Sequence, residues 1–210
     1  MPAPENVVQL SATAQQEVVQ DWLTAVLVVR HQATDAGTVQ NQLKSVLDRA
    51  LNHARSKAGP GLDISTGAFM VQPRHGREGQ IVGWQGSAEL LLQGCDVAKV
   101  AALAGDTPGM VVSQMYFSVS RDASQRVEAE VRQQAIARFK TQAQQVAQDF
   151  GFKGYSVREV SIGEAGLPPT ARPRLMVAAE MSAAMSAAPV PTEPGKSLVQ
   201  VTVSGSVQMK

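Results

Sequence analysis

Few residues in this sequence could carry out chemistry, and the most suggestive cluster of them consists of three methionines. Met176, Met181 and Met185 lie within a single stretch, RLMVAAEMSAAMSAA. Their thioether sulfurs are soft ligands that select Cu(I), and methionine also consumes oxidants by forming the sulfoxide. Methionine is equally an adaptable filler of packed interfaces. The cluster therefore indicates a soft-metal or oxidant-consuming site, or else a contact between subunits. We favour the contact because the three residues are not closely repeated.

Three histidines, His31, His53 and His75, are the obvious candidates for a harder metal. A zinc site needs three or four ligands that converge at about 2.0–2.3 Å from the ion. The pattern places His31 on a strand, His53 inside a helix and His75 at a turn, without paired spacing. We therefore expect surface or core histidines and predict no metal site here.

Cys95 is the single cysteine, which excludes an internal disulfide framework and a site with several cysteine ligands. It precedes Asp96, the predicted cap of a short helix over residues 96–104. A helix N-terminus favours the reactive thiolate, whereas a neighbouring carboxylate disfavours it. We expect a buried, inert cysteine rather than a redox sensor.

The sequence lacks the common catalytic motifs. It contains no G-x-S-x-G turn, no phosphate loop of the type G-x-x-x-x-G-K-[ST], no G-x-G-x-x-G and no H-E-x-x-H. Spacing along the chain does not constrain a pair of catalytic carboxylates, but the acidic residues mostly fit helix caps and polar helix faces, as with Glu128 four residues before Arg132. We predict a non-enzymatic protein without catalytic residues or a cofactor.

The composition narrows the classes of partner. With 44% hydrophobic and 18% charged residues, the 210-residue chain is typical of a globular protein that buries a sizeable core. The net charge of +1, with scattered Lys and Arg, predicts no nucleic-acid partner. No run approaches the roughly 18 consecutive apolar residues that a transmembrane helix requires.

One strand followed by a long helix, within residues 110–152, dominates the pattern. Asp122 is the predicted N-cap, with Gln125 completing a capping box, and Gly151 ends the helix. A helix over 123–150 would be about 42 Å long, which should overhang a small sheet. Either it lies wholly on its own sheet, or its overhanging, alanine-rich end pairs with another subunit. Its apolar stripe comprises Val127, Val131, Ala135, Phe139, Ala143, Val146, Ala147 and Phe150.

The other elements follow from alternation and helical periodicity. A second helix should begin at Thr34 or Asp35 and end before Gly59. Strands are predicted at 7–14, 22–34, 62–73, 81–93, 155–163 and 197–210.

The order strand–helix–strand–strand occurs twice, over residues 22–93 and 110–210, which suggests an internal duplication. A helix between two strands usually forms a crossover between parallel strands. We therefore predict an α+β fold in which the helices of two such units pack on mixed β-sheets.

A Pro/Ala/Met-rich arm interrupts the second unit over residues 166–195. It is an arm, a long loop or an inserted hairpin, and it contains the three clustered methionines. Its prolines bracket the Ala/Met tract: Pro168, Pro169, Pro173, Pro189, Pro191 and Pro194.

Several of these stretches together resemble the SIMPL domain family, formerly a domain of unknown function. The resemblance is carried by VVQDWLTAVLVV, LDISTGAFMVQPRH, IVGWQGSAELLL, the alanine-rich helix and the final VQVTVSGSVQMK. The D-I-x-T motif, followed by an apolar run and Pro73, is its most specific part. Because the matching stretches cover nearly the whole sequence, we interpret residues 1–210 as a single SIMPL-like chain.

The resemblance implies a cellular location and a tendency to form oligomers, but it implies no reaction. Family members are mostly exported proteins of the bacterial periplasm or outer envelope, several are linked to oxidative-stress tolerance or are surface antigens, and oligomers recur. The family has no agreed catalytic residues. We therefore expect a periplasmic or outer-envelope homo-oligomer with a structural or stress-protective role, from which a signal peptide has been removed. The alternative is a module that binds Cu(I) or a small apolar ligand through Met176, Met181 and Met185.

Overall fold

The computed structural model describes residues 5–165 and 193–210, which form three helices and seven strands. The predicted α+β class is confirmed. Met176, Met181 and Met185, with nearly all of the 166–195 arm, lie outside the described residues. The elements in chain order are β1 (Val7–Val19), β2 (Trp22–Ala33), α1 (Ala36–Lys57), β3 (Leu62–His75), β4 (Ile81–Gly94), α2 (Val97–Asp106), β5 (Val111–Ser118), α3 (Arg121–Asp149), β6 (Tyr155–Ala165) and β7 (Lys196–Met209).

The chain divides into two compact units. The terminal unit contains the described residues 5–20, 119–165 and 195–210, and the inserted unit contains residues 21–118 together with residues 193–194. The chain thus enters the inserted unit after β1 and leaves it before α3. This division assigns β5 to the inserted unit, whereas the pattern had grouped it with the half that spans 110–210.

The sheet of the inserted unit has the order β3-β4-β2-β5, and every neighbouring pair is antiparallel. Strands β2 and β3 run in the same direction, since each is antiparallel to β4. Helix α1 therefore does connect parallel strands, as predicted, but β4 lies between them. The expectation of mixed sheets is wrong because the β3–β4 hairpin folds back and places β4 beside β2.

Both helices of the inserted unit pack on one face of this sheet. Of the two residues predicted for the start of α1, Thr34 and Asp35, it is Asp35 that caps the helix by accepting the Thr38 backbone N–H at 2.8 Å. Asp96 caps α2 by accepting the Lys99 N–H at 3.0 Å, as the pattern predicted. At Gly86 a Cβ would lie only 2.6 Å from the Met70 carbonyl oxygen, so the sheet there requires glycine. The buried core consists of Leu23, Ala25, Leu27, Val29, Val39, Leu43, Val46, Ala50, Ala54, Ala88, Leu90, Leu92, Val100, Leu103, Ala104 and Met110.

The terminal unit repeats this topology with different strands. Its sheet has the order β1-β7-β6, again antiparallel, and α3 packs on one face. The series β1, α3, β6, β7 therefore has the same arrangement as β2, α1, β3, β4, with the last strand in the middle each time. The internal duplication stays a prediction. The core comprises Ala12, Ala14, Val127, Val131, Ala135, Phe139, Ala143, Ala147, Val199, Val201, Val203, Val207 and Met209.

Helix α3 begins earlier than predicted and ends as predicted. Its N-cap is Ser120, whose Oγ accepts the Ala123 N–H at 3.3 Å, so the expected cap Asp122 lies in the first turn instead. Gly151 has a φ of +81° and donates its N–H to the Gln148 carbonyl at 2.9 Å. The Phe152 N–H reaches the Ala147 carbonyl at 2.8 Å, which completes a Schellman motif.

The expected overhang of α3 is wrong. The helix has 29 residues and is therefore about 43 Å long, while the 14 residues of β7 span roughly 46 Å. Its buried positions run from Val127 to Ala147, along the length of the sheet. Of the four alanines expected to receive a second helix, Ala135, Ala143 and Ala147 are fully buried in the core of their own unit, and only Ala137 is exposed. The pattern underestimated the sheet because β1 continues to Val19 rather than to residue 14.

None of the helices in the described ranges is long and apolar enough to cross a bilayer.

Candidate functional site

The terminal unit exposes apolar side chains along strand β6. Val157, Val160 and Ile162 are 50%, 43% and 42% exposed. Val160 pairs with Gly205 and Ile162 with Val203, so both side chains lie on the sheet face that α3 covers. They remain exposed because α3 packs mainly on β1 and β7 and barely reaches β6. The result is an apolar strip beside the helix.

The same strand is an edge of its sheet. Among the described residues, β6 pairs with β7 on one side and with no strand on the other. An unpaired edge presents backbone N–H and C=O groups that can pair with another chain. Free backbone groups and exposed apolar side chains thus occur together on β6, which we call the open edge.

A second feature lies on the inserted unit, on the sheet face opposite to α1 and α2, which we call the outer face. A shallow concavity of about 200 Å³ occurs there, where β2, β4 and β3 run side by side. The strand register aligns its lining side chains in two rows across the three strands. The first row is Arg30, Ser87 and Met70, and the second is Gln32, Gln85 and Gln72.

The histidines lie on three different elements. His31 is on β2 beside the concavity, His75 ends β3, and His53 is on α1. His53 Nε2 lies 3.1 Å from Asp106 Oδ2, and the Lys57 ammonium also donates to this oxygen. These two hydrogen bonds, that of Lys57 first, hold the pKa of the Asp106 carboxyl below its usual value. In the described part of the chain no three His, Cys, Asp or Glu side chains are arranged to hold a metal ion.

The cluster of His53, Lys57 and Asp106 joins two helices. His53 and Lys57 lie one turn apart on α1, and Asp106 is the last residue of α2. The ion pairs thus link the ends of two helices of the inserted unit. They lie at the surface, where such pairs contribute little to stability.

Cys95 is exposed, so the expectation that it is buried is wrong. Strand β4 ends at Gly94 and the cap Asp96 follows, which places Cys95 in the turn between strand and helix. The alternation of β4 buries the even positions Leu90, Leu92 and Gly94, so the next, odd position points to the other side. A thiol in this turn is accessible to reagents.

The two candidate features differ in how visible they were in the sequence. The apolar residues of YSVREVSIGEA break their alternation between Val157 and Val160, and the structure shows a register shift at this point that keeps both on one face. That interruption is a recognisable signal of a bulge. The glutamine row had no such signal, since Gln32, Gln72 and Gln85 come from three separate strands.

The fold and these features define a class of protein: an α+β protein of two antiparallel sheets, with an open edge on one and a polar concavity on the other. The chain belongs to the SIMPL family, described as "Protein of unknown function (DUF541)", whose model matches residues 8–207. The resemblance noted from the sequence is thereby confirmed. No curated protein matches the chain.

Proposed function

We propose that this protein is a non-catalytic, self-assembling component of the bacterial envelope, in the periplasm or at the outer envelope. Its role is structural or protective against oxidative stress. The observation that carries the assembly is the open edge of β6, where Val157, Val160 and Ile162 are exposed. Membership of the SIMPL family and the lack of catalytic motifs in the sequence support the remainder.

The occupant of the open edge is a second copy of the chain. Two β6 strands related by a two-fold axis pair antiparallel and join two three-stranded sheets into one of six strands. This pairing brings the Val160 and Ile162 side chains of both copies to the same face of the joined sheet. Burial of this apolar surface then adds to the new backbone hydrogen bonds. The contact differs from the helix pairing expected from the sequence, because Ala135, Ala143 and Ala147 are already buried and only Ala137 of that set is exposed.

Light scattering on the size-exclusion eluate tests the assembly. We expect the intact chain to have a mass that is a multiple of 22.3 kDa. Replacing Ile162 by Lys should shift the mass towards the monomer, since it places a charge in the contact. The matched control is Ser161→Lys, which adds the same charge on the other face of β6 and should leave the mass unchanged.

Deletion of residues 168–194 tests the contribution of the arm and should also reduce the mass. An intact chain that is strictly monomeric at all concentrations overturns the proposal. Equal masses for Ile162→Lys and the intact chain exclude the open edge as the contact.

The second candidate is a binding module for Cu(I) or a small apolar ligand. Its support is the sequence cluster of Met176, Met181 and Met185, whose thioethers suit a soft ion. Anaerobic calorimetry with Cu(I) tests it. Replacement of all three methionines by Leu should abolish binding, and an unchanged affinity removes this candidate.

A further inference from the structure

The concavity on the outer face of the inserted unit combines a guanidinium with a row of amides. Arg30, Ser87 and Met70 form one row across β2, β4 and β3, and the three glutamines form the next. Neighbouring strands lie about 4.8 Å apart, so the amides of one row are within reach of a single small molecule. Three Gln side chains side by side supply several donors and several acceptors.

Arg30 supplies a positive charge that no carboxylate among the described residues pairs with. Within residues 5–165 and 193–210, none of the hydrogen bonds or ion pairs involves its guanidinium. The carboxylate nearest along the sheet is Glu89 in the adjacent row, and its Oε2 accepts the Ala68 backbone N–H at 3.2 Å. The described residues that line the concavity include no carboxylate.

A second arginine orients one of the amides. Arg74 Nη1 donates to Gln32 Oε1 at 2.7 Å. Because the oxygen of Gln32 is engaged, its NH₂ group is left to donate to a ligand. Arg74 also adds positive charge next to the row that Gln32 begins. The concavity therefore offers, on the same strand, an oriented amide donor and a guanidinium that has no partner in the part of the chain that the structure describes.

We propose that this concavity binds the carboxylate of a small polar molecule, of the class of a sugar acid or an N-acylated amino acid. The planar fork of Arg30 matches the two oxygens of a carboxylate. The glutamine row hydrogen-bonds the hydroxyl or amide groups of the remainder, and Met70 contacts its carbon atoms. A volume of about 200 Å³ is below the ~300–1,000 Å³ of sites for drug-sized ligands, so the concavity itself holds about one sugar ring or one amino acid.

This site is independent of the proposed assembly. It lies on the inserted unit, whereas the open edge belongs to the terminal unit. The assembly-defective variant Ile162→Lys should therefore bind the ligand as well as the intact chain does. Failure of one proposal can thus be distinguished from failure of the other.

Saturation-transfer difference NMR tests the site, because it observes the ligand and tolerates a large assembly. The probes are D-glucuronate and N-acetylaspartate as the two sources of a carboxylate, D-glucose as the neutral counterpart of the former, and inorganic phosphate as a competitor. We expect saturable binding of at least one carboxylate and none of glucose. Hydrogen bonds to charged groups contribute about 1.5–3 kcal/mol, so Arg30→Ala should weaken binding roughly ten- to a hundredfold.

Two variants control for charge and geometry. Arg158→Ala removes an exposed arginine from strand β6 of the other unit and should leave the affinity unchanged. Arg30→Lys keeps the charge but loses the fork, and should bind more weakly than the intact chain. Far-UV circular dichroism establishes that each variant is folded.

Four results would each overturn the assignment. The first is that Arg30→Ala and Arg158→Ala bind the carboxylate with equal affinity, and the second is that glucose binds as well as glucuronate. The third is that neither carboxylate binds. The fourth is that phosphate displaces a bound carboxylate when the phosphate concentration is lower than that of the carboxylate.

Discussion

Replacing Phe139 by Ala should destabilise the terminal unit strongly. Phe139 is 2% exposed and is the bulkiest side chain among the fully enclosed core positions of that unit. It projects from the middle of α3 into a layer made mainly of valines from β7. Because strands on one side and helix turns on the other hold these neighbours in place, they cannot collapse into the space that the ring leaves.

The size of the effect follows from burial. A buried Phe→Ala substitution costs about 3–5 kcal/mol, through lost transfer free energy and the cavity that remains. The free energy of unfolding of whole domains is only ~5–15 kcal/mol, so the variant loses a large part of its stability. For a urea m-value near 2 kcal/mol/M, the midpoint should fall by roughly 1.5–2.5 M.

The same helix provides a matched control. Phe150, the C-cap residue of α3, is 71% exposed, so Phe150→Ala should change the free energy of unfolding by no more than about 0.5 kcal/mol. Urea unfolding followed by far-UV circular dichroism measures both variants. Fluorescence of Trp22 and Trp84 reports the inserted unit alone, because both tryptophans lie in it. If the two variants unfolded at the same urea concentration, the assigned packing of α3 would be refuted.

Three further predictions concern single groups. Ser120→Ala should cost about 1 kcal/mol through loss of the N-cap of α3, and Asp122→Ala clearly less, as measured by urea unfolding. Because Lys57 lowers the pKa of Asp106 in the folded chain, this carboxylate stabilises the fold above the unfolded aspartate pKa of about 3.9. That contribution is lost as the pH falls through the lowered pKa, and Asp106→Asn should flatten the acid limb of a stability–pH curve. Cys95 should react with Ellman's reagent in the folded protein without denaturant, since its side chain is exposed.

Each of these predictions has a contrary outcome. A larger loss for Asp122→Ala than for Ser120→Ala would restore the cap position expected from the sequence. Identical acid limbs for Asp106→Asn and the intact chain would show that the ion pairs do not persist in solution. A cysteine that reacts only after unfolding would place the thiol inside the core.

The local elements were predictable because their signals are local. The cap Asp96 and the stop at Gly151 were predicted from residue type and spacing, and the structure confirms them. For α1 the pattern allowed Thr34 or Asp35, and the structure shows Asp35 as the cap. The apolar stripe of α3 identified the buried face of the helix, although Phe150 at its end is exposed. Hydrophobic periodicity reports which side of an element is buried, whatever covers it.

The candidate sites were less predictable, for reasons that differ between residues. Cys95 stands at an odd position, whereas the buried residues near the end of β4 are the even ones, Leu90, Leu92 and Gly94, so the alternation itself places it on the other side. The exposure of the apolar side chains at the open edge depends on how far α3 reaches across the sheet. Gln32, Gln72 and Gln85 become neighbours only through the register of three strands, which no short-range pattern encodes.

By itself, the sequence determined the α+β class, the position of nearly every helix and strand, and membership of the SIMPL family. Apart from the β3–β4 hairpin, which is local in sequence, tertiary structure alone decided which strands are neighbours. Val7 pairs with Gln208 from the opposite end of the chain, and β4 separates β2 from β3. The physical reason is that alternation specifies the buried face of a strand, while its hydrogen-bonding edges are backbone groups that are nearly the same for every residue. Only the packing of the whole chain selects the partner for each edge, and among the described residues it gives β6 one partner strand.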